Sequence, residues 1–180
     1  WKKKYKQPAL PPFKGLPAIP TGWTFAGIEQ IILPERNSMK TGPFGSLLKK
    51  NEHMPNGIPV LGIENIASMN FIPGSKVHVS EAKANALSGY RVNPGDILIS
   101  RSGTVGEVCA VPYDIGEAII STNLMKISLM KEGLLPEFFT YIFNGSPFVL
   151  SQVSELCKGS TRKFLNQDIL KRLVFVVPPV

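Results

Sequence analysis

Cysteine and histidine are scarce in this sequence, and their scarcity argues against a disulfide framework and a zinc site. Only two of the 180 residues are cysteines and two are histidines. Cys109 lies in an apolar stretch and Cys157 at the end of a predicted helix, so we expect both to be buried thiols in a reducing compartment. His53 and His78 stand alone, without the ligand spacing of a zinc site, and we interpret both as surface or loop residues.

Catalytic motifs are missing as well. There is no Walker A sequence, and the Gly-Thr-Val-Gly stretch at residues 103–106 lacks the third glycine and the βαβ setting of a dinucleotide site. Neither Gly-x-Ser-x-Gly nor a methyltransferase motif of the Asn/Asp-Pro-Pro-Tyr type occurs. The Glu-Ala-Lys tripeptide at residues 81–83 matches part of a nuclease site, but no aspartate precedes it to complete a metal site. We therefore predict a chain that catalyses no reaction and binds no cofactor or metal.

No apolar run approaches the ~18 residues of a membrane span, and the N-terminus lacks the apolar core of a signal peptide. These absences predict a cytoplasmic protein without membrane contact. A length of 180 residues with 43% hydrophobic residues suits one globular domain. Five prolines among the first twenty residues favour an extended start. We divide the chain into a linker arm over residues 1–22 and a domain over residues 23–180.

Positive charge is the main compositional signal that is present. The formal net charge is +7, from 20 lysines and arginines against 13 acidic residues. Such a surplus suits a polyanionic partner, although charge alone does not define a function. Basic residues cluster near residues 40–50 and again over residues 158–172. The alternative interpretation is that these clusters are ordinary solvated faces.

The stretch at residues 90–106 is the most specific pattern. Asn-Pro-Gly-Asp at residues 93–96 predicts a reverse turn, and the apolar residues 97–99 predict a buried strand. A second strand is expected over residues 105–111, which places Arg101, Ser102 and Thr104 at the tip of a hairpin. Such a tip suits contact with phosphates and base edges in a DNA groove. Two alternatives stay open: an ordinary solvated hairpin, or Arg101 paired with a carboxylate such as Glu107 to hold the hairpin.

Two further segments are candidate DNA surfaces. Residues 158–163 follow a predicted helix and offer hydroxyls and cations to phosphate, although a helix C-terminus also attracts cations for its own dipole. The turn at residues 42–46 would bring backbone N–H groups close to a ligand, with lysines beside it, or it is a plain turn. Asn65 and Asn123 lie at strand ends, where an asparagine reads adenine or closes a turn, and we favour the turn for Asn65.

The order of predicted elements defines the fold class. Strands are predicted at residues 58–63, 97–100, 105–111, 118–121, 124–129 and 173–177, and helices at residues 136–144, 147–158 and 167–172, with a weaker helix at 81–88. Strands come first and helices cluster late. We predict an α+β fold with a mixed, mainly antiparallel twisted sheet and helices clustered in the C-terminal third. The aromatic residues Phe138, Phe139, Tyr141 and Phe143 have helical spacing and are expected in the core.

Five blocks of the sequence, in order, resemble the target-recognition domain of a type I restriction-modification specificity (S) subunit. The signature loop is matched by residues 94–106. The other blocks are residues 16–23, residues 42–46 with 59–66, residues 119–127, and residues 159–161 leading to 174–179. The resemblance covers roughly residues 16 to 179. Any one block is a weak signal, whereas five in order are a strong one.

The resemblance implies sequence-specific recognition of double-stranded DNA. In that family each recognition domain reads one half of a split site for associated methyltransferase (modification) and restriction subunits, and performs no chemistry itself. Residues 1–8 resemble the end of a helix leading into a second recognition domain, so the chain is expected to be that domain or an excised piece. The residues expected to contact DNA are Lys49, Lys50, Arg101, Ser102, Thr104, Lys158, Ser160, Thr161, Arg162 and Lys163.

Two other functions fit the same residues. The first is the recognition domain of a single-chain DNA methyltransferase or methyltransferase–nuclease, which only flanking sequence would distinguish. The second is a protein-interaction module whose basic charge is incidental, which would bind no DNA at moderate salt.

Overall fold

Strands of two to four residues and helices of six to ten residues follow one another along the chain. The computed structural model describes residues 16–67, 69–130, 132–157 and 164–179. The strands are β1 (Thr24–Gly27), β2 (Met39–Thr41), β3 (Ile58–Leu61), β4 (Ile66–Ala67), β5 (Asn70–Phe71), β6 (His78–Val79), β7 (Ile97–Ser100), β8 (Val108–Ala110), β9 (Ile119–Ile120), β10 (Leu124–Ile127) and β11 (Val174–Val177). The α-helices are α1 (Glu81–Ala86), α2 (Pro136–Gly145), α3 (Pro147–Leu156) and α4 (Gln167–Arg172).

The centre of the fold is the four-stranded antiparallel sheet β2-β10-β7-β8. Every residue of β7 and β10 is buried, so both faces of this sheet are covered. Side chains alternate between faces along a strand. Ile97 and Ile99 therefore enter one hydrophobic core, whereas Leu98 enters another.

Helices α2 and α3, together with β11, pack on the first of these faces. Phe139, Phe143 and Phe175 are fully buried there, with ring centroids 5.2 to 5.9 Å apart. Gln152 of α3 is 2% exposed and exchanges two hydrogen bonds of 2.9 Å with the backbone of Val174, which joins α3 to β11. No helix in the described ranges is long and apolar enough to span a membrane.

The remaining strands form three small sheets. β1 pairs antiparallel with β11, and Thr24 lies opposite Val177. β6, β3 and β9 form a second sheet in which β3 and β9 are parallel, and β4 and β5 form the third. The predicted α+β class, with mainly antiparallel strands and late helices, is confirmed, and the strands of the described ranges are spread over four sheets.

Several element predictions need correction. β8 begins at Val108 rather than at residue 105, because the chain reverses first: the Glu107 N–H donates to the Thr104 carbonyl at 3.1 Å, and Gly106 has φ +87°. His78 lies in a strand rather than a loop. Tyr141 is 63% exposed and so is not a core residue. Both cysteines are buried as predicted, and burial raises the pKa of the Cys109 thiol to about 12.

A buried ion pair joins the turn before β7 to the neighbouring strand β10. Lys126 Nζ lies 3.2 Å from Asp96 Oδ2, and the two side chains are only 4% and 3% exposed. The same carboxylate accepts hydrogen bonds from the Ser128 hydroxyl at 2.5 Å and the Asn93 N–H at 2.8 Å. Buried charges are tolerated when they are paired and hydrogen-bonded in this way.

We expect Lys126→Met to lower the free energy of unfolding by about 3 kcal/mol, because the variant leaves the Asp96 carboxylate buried without its counter-ion. Chemical denaturation followed by circular dichroism measures this change. The matched control is Lys171→Met, which removes a lysine paired at 3.0 Å with Glu29 but 45% exposed, and which should leave stability nearly unchanged. Equal effects of the two substitutions would show that the buried pair contributes no more to the free energy of unfolding than an exposed pair does.

Candidate nucleic-acid interface

The loop that joins β7 to β8 carries three of the predicted DNA-contacting residues. Ser102 is half-buried and Thr104 is exposed, as expected of a loop tip. Arg101, however, is 3% exposed. Its predicted position at the tip is therefore wrong: the side chain turns inward from the end of β7, and only the residues after it reach the surface.

The Arg101 guanidinium occupies a closed site built from three separate chain segments. Nε donates to the Leu165 carbonyl at 3.3 Å and Nη1 donates to the Thr122 carbonyl at 3.0 Å. The rings of Phe44 and Phe164 lie 4.9 and 4.4 Å from the guanidinium carbon, within the range of cation–π attraction. Burial lowers the pKa of this guanidinium from its ordinary value.

These contacts also bear on the alternative role considered for Arg101. Within the described ranges no carboxylate pairs with Arg101, so Glu107 is not its partner. Its guanidinium donates to backbone carbonyls instead. The base-reading role stays a prediction. A guanidinium covered by two rings and bonded to two carbonyls would have to leave this site to perform it.

The surface beside Arg101 is an open groove of about 830 Å³. Its polar lining includes Ser102, Thr104, Glu107 and Asn123. The Ser102 hydroxyl donates to Asn123 Oδ1 at 3.1 Å, and the Thr104 hydroxyl donates to the Ser100 hydroxyl at 3.2 Å. Hydroxyl, amide and carboxylate groups on one surface are the types that pair with base edges.

Asn65, in contrast, is not among the residues that line this groove. It is buried and closes a turn, as predicted: its amide bonds the backbone of Gly62, Ile72 and Gly74. An amide with these three partners holds its own loop together, which is the role that the sequence favours for it.

The turn at residues 42–46 packs against the turn at residues 121–123. The Thr122 hydroxyl donates to the Pro43 carbonyl at 2.5 Å, and the Gly42 N–H donates to the Leu124 carbonyl at 2.9 Å. A Cβ atom on Gly42 would collide with the Ser121 carbonyl, so glycine is required for this close approach. Blocks that are distant in sequence thus meet around Arg101.

Lys49 and Lys50 lie on the segment that follows this turn, and both are exposed to solvent. The Lys49 N–H donates to Glu52 Oε2 at 2.7 Å, and Glu52 Oε1 pairs with Lys83 of α1 at 2.7 Å. The pKa of the Glu52 carboxyl is held below its ordinary value, first by the hydrogen bond from Lys83 and then by that from the Lys49 N–H. The backbone of Lys49 is therefore linked to α1 through Glu52.

The remaining predicted contacts, Lys158, Ser160, Thr161, Arg162 and Lys163, lie outside the described residues. The described residues on either side, Cys157 and Phe164, are close to each other, with Cys157 Sγ 3.9 Å from the Phe164 carbonyl oxygen. No group of three or more metal-ligating side chains occurs in the part of the chain that the structure describes.

Two aromatic residues of this site are not predicted by the sequence. Local pattern identifies Phe44 only as part of a turn and gives Phe164 no role. Their position against Arg101 depends on long-range contacts that sequence spacing cannot reveal.

Residues 44–180 match the family model of the type I restriction modification DNA specificity domain. Because the match spans most of the chain, this protein belongs to that family. A search of curated proteins found no match.

Solved structures agree in fold. A chain from a study of complex assembly and conformational transition of the type I R-M system matches with a TM-score of 0.61 at 17% identity, covering 91% of this chain and 36% of that one. The HsdS subunit of Thermoanaerobacter tengcongensis matches with a TM-score of 0.55 at 16% identity, covering 93% and 36%. The S subunit of a type I system from M. genitalium matches with a TM-score of 0.57 at 16% identity, covering 88% and 35%. The chain thus spans about a third of the length of these structures.

We expect an NMR titration to give Glu52 a pKa below its ordinary value of 4.5, and Lys83→Met to raise it partway back, because the Lys49 N–H remains. Because the pKa of this carboxyl is lowered, its hydrogen bonds stabilise the loop fully at pH values above the ordinary pKa. This stabilisation is lost as the pH falls through the lowered pKa. The control, Lys171→Met, should not move the Glu52 titration. An unchanged pKa in Lys83→Met would show that the ion pair does not form in solution.

Proposed function

We propose that this domain binds double-stranded DNA and reads one half of a split target site as part of a type I restriction-modification specificity subunit. The observation that carries the proposal is the groove beside Arg101, where loops distant in sequence present hydroxyl, amide and carboxylate groups together. Membership of the DNA specificity family supports the same function. Loops held by a rigid scaffold are the usual carriers of such recognition.

Different residues contact the base edges and the phosphates of the DNA. Ser102, Thr104 and Asn123 contact base edges, because they line the groove and carry groups that discriminate between bases. Lys49 and Lys50 contact phosphates, because they are point charges on the segment after the turn at residues 42–46. Lys158, Ser160, Thr161, Arg162 and Lys163 add further phosphate contacts.

The domain acts without catalysing a reaction, and methyltransferase and restriction subunits of the same system perform the chemistry. The match to the type I DNA specificity family supports this arrangement, whereas a single-chain methyltransferase would carry an S-adenosylmethionine-binding fold in the flanking sequence.

The affinity for a random-sequence duplex should fall steeply as salt rises, because lysine–phosphate contacts displace counterions. The double variant Lys49→Gln, Lys50→Gln should lower the slope of log affinity against log salt by about 0.9 for each phosphate that is no longer neutralised. Fluorescence anisotropy over a salt series measures both quantities. A flat titration, or no binding at low salt, would contradict DNA recognition.

The control for this titration is Arg36→Gln. Arg36 is exposed on the loop between Leu33 and Ser38, and both of these residues bond the Ser128 backbone, at 2.9 and 2.7 Å. Ser128 follows the end of β10 that lies beside Asp96, so Arg36 is at the opposite end of the central sheet from the groove. Its substitution should leave the salt slope unchanged.

Calorimetry of the full-length protein that carries this domain should show no binding of S-adenosylmethionine, because in the proposed arrangement separate methyltransferase subunits bind it. Measurable affinity in the micromolar range would favour the single-chain methyltransferase instead. A parallel titration with duplex DNA serves as the positive control.

A further inference from the structure

Arg101 connects the segments that carry the proposed DNA contacts. Its side chain bonds the carbonyls of Thr122 and Leu165 and lies against the rings of Phe44 and Phe164. Its backbone adds two more links: the Arg101 N–H donates to the Asn123 carbonyl at 2.9 Å, and the Leu165 N–H donates to the Arg101 carbonyl at 3.2 Å. One residue therefore touches the turn at 42–46, the turn at 121–123 and the segment from Phe164.

Each of these segments leads directly to a group with a proposed role on DNA. The turn at residues 42–46 leads to Lys49, Asn123 follows Thr122, and Phe164 itself lines the groove. The hydrogen bond between Ser102 and Asn123 forms only while the β7–β8 loop and the turn at 121–123 keep their relative positions. Arg101 supplies bonds that keep them there.

We propose that Arg101 is a positioning residue: it holds the three DNA-contacting segments in one arrangement and does not itself contact DNA. The inference rests on the proposed function of the domain. It assigns sequence discrimination to the exposed groups around Arg101 and makes their joint geometry depend on the buried guanidinium.

The geometry explains why this residue is an arginine. A guanidinium is planar, so its two faces can lie against two rings while N–H groups at its edge reach carbonyls in fixed directions. Here the rings of Phe44 and Phe164 contact the guanidinium. The carbonyls of Leu165 and Thr122 accept its hydrogen bonds. A lysine ammonium keeps the charge but lacks both the plane and the fork. Arg101→Lys is therefore the informative substitution.

The test is selection of bound sequences from a randomised duplex library by the full specificity subunit that carries this domain. Wild type should recover a defined half-site. Arg101→Lys should weaken the preference at all positions of that half-site together, by about tenfold or more in total since each base pair contributes severalfold. Its salt slope on a random-sequence duplex should stay unchanged, because the number of neutralised phosphates is the same.

Two further variants separate positioning from general stability. Gln152→Ala removes the buried link between α3 and β11, which involves none of the groove residues, and should lower thermal stability while recovering the wild-type half-site. Phe164→Leu removes one ring from Arg101 at a residue that is already 38% exposed, and should reproduce a weaker form of the Arg101→Lys effect even if the arginine variant fails to fold.

Each alternative gives a different result. Weaker preference at a single base pair would make Arg101 a reading residue, and a salt slope lower by about one would make it a phosphate-binding residue. An unchanged half-site in Arg101→Lys and Phe164→Leu would overturn the positioning role while leaving the proposed function intact. If wild type itself recovers no sequence, the proposed function fails and the positioning role fails with it.

Discussion

The buried Asp96 carboxylate is the constraint on which the central sheet depends. It must keep three donors, the Asn93 N–H, Lys126 Nζ and the Ser128 hydroxyl, because an unpaired charge at that depth would be strongly destabilising. Lys126 reaches it only in the observed register, with Ile127 opposite Ile97. A slip of one residue would turn Lys126 to the other face and leave the carboxylate alone.

Strand β7 thus has a buried charge immediately before it and another immediately after it. Asp96 fixes its first residue to the end of β10, and Arg101 fixes its last residue to three surface segments. The four residues between them are fully enclosed. One end of β7 is therefore bonded within the core and the other end is bonded to the segments around the groove, which is the kind of support that a recognition surface requires.

Local patterns predict the parts of the fold that local chemistry determines. β7 and α4 have the predicted bounds, and Phe139 and Phe143 are in the core as their helical spacing indicates. The direction of Arg101 could not be predicted, because its partner Leu165 lies 64 residues away. The two-residue strands β4, β5 and β6 are too short to show alternation and depend on tertiary pairing, so no local pattern predicts them.

The pairing of β1 with β11 joins strands at opposite ends of the described chain. Such pairs have a high contact order, and closing so long a loop must precede any gain from the pairing. During synthesis at about 5–20 residues per second, β1 must wait without its partner until β11 has left the ribosome. Its exposed edge in that interval is open to other strands. The β1–β11 sheet therefore forms only after residues 174–177 have been synthesised, so this pairing is a late event in the folding of the domain.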